Sequence, residues 1–87
     1  MHATQSIAVT ATATVYTGAG FLLGMKLAAA AATATATVYD GTDTTGPILA
    51  KLTAAANTAD DLSIPIAFRT GLHVVLAGAG AHLNVFL

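Results

Sequence analysis

Eighty-seven residues without a cysteine make one small domain that neither disulfides nor thiolate metal sites can staple. With 8% charged side chains and a net charge of −1 it has no electrostatic grip to offer nucleic acid or anionic lipid. Its 55% hydrophobic content, much of it alanine, is the reverse of a disordered composition. A surface this poor in charge is weakly protected against association, which points to a chain bound to copies of itself or to a larger assembly.

Residues 1–6 have neither the basic start nor the apolar run of a secretory signal. They are expected to form an N-terminal arm, with residues 7–87 as a single domain. The longest uncharged apolar stretch, residues 21–36, is broken by Gly24 and Lys26 and is too short to span a bilayer, so no membrane partner is expected.

From Ile7 the chain alternates: Val9, Ala11, Ala13 and Val15 on one side, Thr10, Thr12, Thr14 and Tyr16 on the other. Period two with β-branched residues reads as a strand, with threonine tolerating the solvent face. Residues 17–20 are a turn. Residues 21–27 are a second strand, with Phe21, Leu23, Met25 and Leu27 inward and Leu22, Gly24 and Lys26 outward. The five alanines 28–32 are good helix formers but too short for an isolated helix, and read as a loop or strand extension. Residues 33–39 (Thr-Ala-Thr-Ala-Thr-Val-Tyr) then repeat residues 10–16 letter for letter. Two strands under the same constraints explain the match better than a solenoid, which needs several regular units.

Asp40-Gly41 opens a long polar turn that ends at Pro47. Ile48, Ala50 and Leu52 alternate with Leu49, Lys51 and Thr53 as a further strand, and residues 53–61 read as an exposed loop. Ile64, Ile66 and Phe68 mark the next strand, with Pro65 making it an edge or a bulged one. After a turn at residues 69–71, the last seventeen residues form two alternating runs around Gly78-Ala79-Gly80-Ala81. They read as a closing hairpin with Leu76 opposite Leu83. Leu72, Val74, Leu76, Leu83, Val85 and Leu87 then share the core face, and His73, Val75, Ala77, His82, Asn84 and Phe86 the other.

About seven short strands with turns every ten residues or so predict an all-β fold, a jelly-roll-like antiparallel β-sandwich. The expected core is Val9, Val15, Leu23, Met25, Leu27, Val38, Ile48, Leu52, Ile64, Ile66, Phe68, Val74, Leu76, Leu83 and Val85.

No residue pattern indicates chemistry. His73 and His82 lie roughly 13 Å apart along the expected strands, too far to share a metal, and nothing brings His2 to them. Asp40 and Asp43 suit turn chemistry, whereas a Ca²⁺ loop needs at least six oxygens. Asp60 and Asp61 read as solubilising residues. There is no glutamate to pair with them for acid–base work. Ser6 and Ser63 lack an activating context, and residues 18–20 and 78–80 are not phosphate loops. No catalytic residue, metal, cofactor or small-molecule substrate is expected, and the chain does not read as an enzyme. What remains is a candidate interface of outward apolar residues, Leu22, Leu49, Val75 and Phe86.

The order Val38-Tyr39-Asp40-Gly41, Thr45-Gly46-Pro47-Ile48-Leu49-Ala50 and Ile66-Ala67-Phe68-Arg69-Thr70-Gly71-Leu72-His73-Val74-Val75-Leu76-Ala77-Gly78, ending in Asn84-Val85-Phe86-Leu87, resembles small β-sandwich structural proteins of tailed bacteriophages. Those proteins run through a YDG turn and a GLYVVLSGTG hairpin to an apolar carboxy terminus. Leu23-Gly24-Met25-Lys26-Leu27 is similar to their early LxGixV strand. His73 stands where an aromatic is usual, and the alanine-rich linkers also depart from the pattern. The resemblance implies a virion structural protein on the capsid surface, a decoration or cement protein that stabilises the head shell. Its partners would be the major capsid protein and itself, as a homo-oligomer with a trimer as the first expectation. A head–tail or tail component is the alternative within the same class, and a glycan-binding β-sandwich module the alternative outside it.

Overall fold

A computed structural model describes residues 6–63 and 65–87. The architecture is all-β and antiparallel, with ten strands among the described residues: β1 (Ser6–Val9), β2 (Ala13–Thr17), β3 (Gly20–Leu22), β4 (Gly24–Ala28), β5 (Ala34–Asp40), β6 (Ile48–Ala54), β7 (Ala59–Leu62), β8 (Ile66–Phe68), β9 (Gly71–Ala77) and β10 (His82–Phe86). One sheet has the order β1-β10-β4-β7, a second the order β2-β9-β5-β6, and β3 and β8 form a two-stranded ribbon.

The pairings follow one rule. β5 pairs with β6, β4 with β7, β3 with β8, β2 with β9 and β1 with β10, all antiparallel. The chain is therefore one long hairpin with its tip at residues 41–47. Rolled up, it gains two further seams, β10 against β4 and β9 against β5. That is the topology of a jelly roll, which leaves each sheet with two edges.

Ten strands arise where about seven are expected because the chain changes sheet inside apolar runs. The run from Ile7 splits at bends over residues 10–12, so β1 lies in one sheet and β2 in the other. The run 21–27 splits at Leu23 into β3 and β4. Residues 59–62 add β7 within the expected loop, where Asn57 takes the left-handed conformation (φ 62°) in the turn before it. Packed sheets lie roughly 10 Å apart, so a crossing interrupts the alternation that defines a strand.

The core holds Val9, Met25, Leu27, Val38, Leu52, Phe68, Val74, Leu83 and Val85 as expected, with Val15, Ile66 and Leu76 half-buried against it. Three expectations change. Leu22 is completely buried while Phe21 is 59% exposed, because the break at Leu23 reverses the phase of β3 relative to β4. Leu23 itself is only half-buried. Ile48 is 60% exposed. A bulge accounts for this: Tyr39 pairs with Ile48 and Val38 with Ala50, so Leu49 is the extra residue and the phase shifts across it. Ile64 lies outside the described residues, as do residues 1–5 of the expected arm, whereas Ser6 already belongs to β1. Buried alanines at 34, 36, 54 and 81 complete the core and let the two sheets approach closely.

The closing hairpin is not a hairpin. β9 pairs with β2 and β5, β10 with β1 and β4, so Leu76 and Leu83 lie in different sheets. Gly78 (φ 111°) and Gly80 (φ 75°) make the crossing in backbone conformations that side chains rarely adopt. A Cβ at Gly78 would lie 2.6 Å from the Thr33 carbonyl oxygen. The facing residues nevertheless come out as expected: Leu72, Val74, Leu83 and Val85 are buried, because both strands look at the same core from opposite layers.

Candidate interaction surfaces

The four outward apolar residues do not form one surface. Leu22 is in the core, for the reason given above. Leu49 is half-buried at the bulge and packs against the core. Val75 faces outward on the β2-β9-β5-β6 sheet, opposite Thr37. Phe86 faces outward on the other sheet, between Ser6 and Gly24. Val75 and Phe86 thus stand on opposite faces of the sandwich. The Phe86 ring lies beside the bare backbone of Gly24, where a Cβ would sit 3.7 Å from its Cδ2 and 2.8 Å from the Leu62 carbonyl oxygen.

The outer face of the β2-β9-β5-β6 sheet carries a row that the sequence does not announce. Thr14, His73, Tyr39 and Ile48 are cross-strand neighbours on four successive strands. Such rows follow from pairing register, and register here depends on two bulges, one at Leu49 and one at Val15. The Thr14 hydroxyl donates to the Thr42 carbonyl at 2.9 Å, which uses its single proton. Its 2.9 Å contact with His73 Nδ1 therefore has the ring N–H as donor. That fixes the tautomer and leaves the lone pair of the neutral ring on Nε2. The Tyr39 and His73 rings are 6.4 Å apart.

His82 faces outward on the other sheet, opposite Ala28, so the two histidines are on opposite faces rather than on one. Their strands are in different sheets, which removes the shared face that a hairpin would have made. His2 lies outside the described residues. No three His, Cys, Asp or Glu among the described residues are grouped to hold a metal ion.

The aspartates organise turns. Asp43 accepts from the Thr45 hydroxyl and from its backbone N–H, and these two bonds, with the nearby His73, hold its carboxyl below the ordinary value. Asp40 reaches further: its carboxylate accepts from the backbone N–H of Thr70 (2.9 Å), Arg69 (3.0 Å) and Gly71 (3.5 Å). These bonds, the Thr70 one foremost, also lower its pKa. Asp40 N–H donates to the Pro47 carbonyl and Gly41 N–H to the Gly71 carbonyl, so the hairpin tip is clasped to the turn before β9. Asp60 and Asp61 lie on the edge strand β7, and Asp61 is opposite Lys26.

The two rims of the sandwich differ. One is formed by β6 over β7 and carries Lys51, Asp60 and Asp61. The other is formed by β1 over β2 and holds an open groove of about 400 Å³ lined by Ile7, Val9, Thr10, Ala11, Ala13 and Val15. No Asp, Glu, Lys or Arg occurs before Lys26. No protein-family model matches the chain, and no curated protein matches it.

Proposed function

We propose that this chain is a structural protein of a tailed-phage virion, a cement protein that binds the major capsid protein on the head shell as a homo-oligomer. The observation that supports this reading is a jelly roll, an architecture that recurs in viral capsid domains, whose surface carries very little charge. Exposed Ile48, Phe21 and Tyr16 add apolar area to it. Such a protein attaches through apolar and backbone contacts, and with few charges to screen its attachment depends only weakly on salt. A glycan platform is usually built on tryptophan and tyrosine, and this chain has no tryptophan and two tyrosines, of which Tyr16 is engaged edge-on with Phe68 at 5.6 Å.

The test is co-sedimentation of purified protein with head shells that lack it, washed across about 0.1 to 1 M salt. Retention at saturating, fixed stoichiometry throughout is the expected result. Release by moderate salt, or no binding to shells, overturns the reading. Binding to isolated tails alone reassigns the protein to the tail.

A further inference from the structure

We infer that Asp40 is a site of spontaneous isomerisation to isoaspartate, held off in the folded chain by the clasp on the turn before β9. This is independent of the proposed function. Asp40 is the only aspartate or asparagine followed by glycine. Asp43, Asn57, Asp60, Asp61 and Asn84 precede Thr, Thr, Asp, Leu and Val, whose side chains obstruct the backbone nitrogen that must react. In the reaction the Gly41 nitrogen attacks Cγ of the protonated Asp40 carboxyl. The N–Cγ bond forms, the nitrogen's proton and the carboxyl hydroxyl leave as water, and a cyclic imide closes. Water then opens the ring. Addition at Cγ restores aspartate, whereas addition at the main-chain carbonyl leaves the backbone running through Cγ, one methylene longer. Water is released and taken up again, so no other reactant is needed and the mass is unchanged.

In the folded chain both reacting groups are committed to the same three residues. The carboxylate accepts from the N–H groups of Thr70, Arg69 and Gly71, and the Gly41 N–H donates to the Gly71 carbonyl at 3.1 Å. The same bonds keep Asp40 ionised, the form that lacks a leaving group. Opening the turn at residues 69–71 frees nitrogen and carboxyl together, so the reaction proceeds only from that open population. It is also a one-way step for the fold. A Cβ at Gly46 would overlap the Asp40 carbonyl oxygen, and one at Gly71 would lie 2.9 Å from the Gly41 carbonyl oxygen. Backbone packed this closely has no room for an added methylene. The free carboxylate, now on the α carbon, has also lost the methylene that carried it to residues 69–71.

The experiment incubates the whole chain at slightly acid pH in native buffer and in guanidinium chloride. Trypsin then releases residues 27–51, which are followed for an isomer of equal mass and different retention, with electron-transfer fragmentation assigning the residue. Isoaspartate at Asp40 is expected to accumulate in denaturant, and at least about tenfold more slowly in native buffer. Gly71→Ala drives a Cβ against the Tyr16 and Gly41 carbonyls and is expected to raise the native-buffer rate toward the unfolded one. If circular dichroism shows that it has lost its strands, Thr70→Pro, which deletes the shortest of the clasp's donors at an exposed residue, carries the test. No isomer in denaturant overturns the site. Equal rates in buffer and denaturant, or folded clasp variants as slow as the wild type, overturn the protection. The isomerised chain, separated and returned to native buffer, is expected to melt below the unmodified one. Coincident melting curves overturn the one-way step.

Discussion

Residues 10–16 and 33–39 are the same seven letters in two different places. In the second copy Ala34, Ala36 and Val38 are completely buried, whereas in the first Ala11 and Ala13 are exposed and Val15 is half-buried. Both copies pair with β9, one on each of its sides. The second lies between β9 and β6 in the sheet interior; the first is at the edge. Their registers differ too: Val38 is opposite Val74, but in the first copy Ala13 takes that place, and the bulge at Val15 sets Tyr16 opposite Leu72. Thr35 sits in a regular ladder between Ala77 and Thr53. Its counterpart Thr12 has left the ladder, and its hydroxyl stands in for the missing strand by accepting from Leu76 N–H at 3.1 Å. Burial and pairing are properties of the position in the sheet, and identical residues take whichever the position imposes.

The sharpest way to separate the copies is a buried charge. Val38→Asp is expected to abolish folding, since the carboxylate would have neither water nor a partner in the core. Val15→Asp, at the edge, should remain folded by circular dichroism. If both unfold, the edge copy is as buried as the central one and the comparison fails. Next is overpacking: Ala36→Leu has no room and should cost about 1–3 kcal/mol in urea unfolding. Ala13→Leu is at an open groove and should stay within about 0.5 kcal/mol of wild type.

The threonines give a smaller difference. Thr12→Val removes the bond to Leu76 N–H and should cost about 1 kcal/mol, with faster hydrogen exchange at the Leu76 amide. Thr35→Val keeps its backbone ladder and should be near neutral. The smallest effect is at acid pH, where the clasp holding β5 to the turn before β9 is tested. Asp40 and Asp43 have depressed pKa values in the folded state, so the unfolded chain takes up protons first as pH falls. Their contribution is intact above the ordinary carboxylate value, about 4, and is lost as pH falls below it through the folded values. Melting curves should be flat in pH near neutrality and fall once the pH drops below the ordinary carboxylate value, about 4, and Asp40→Asn should reduce that slope. An unchanged slope would mean that the clasp contributes nothing to the folded state.

The sequence by itself determined the fold class and most of the facing of the strands. Alternation is a local property, and the pleat converts it to sidedness whichever strand lies alongside. That is why Leu72, Val74, Leu83 and Val85 are placed in the core even though the hairpin assumed between them does not exist. Tertiary structure alone decided the partners. β1 pairs with β10 across nearly the whole chain, and no short-range pattern encodes a contact at that separation. It also decided the phase wherever a single residue is inserted or skipped. Leu22 and Ile48 exchange core and surface because of a break at Leu23 and a bulge at Leu49, each one residue long. With a period of two, one residue is enough to send every following side chain to the other face. Among the candidate interface residues, Leu22 went to the core by such a shift and Leu49 is the bulged residue itself, whereas Val75 and Phe86 face outward as their phase predicts but on opposite faces, because their strands belong to different sheets.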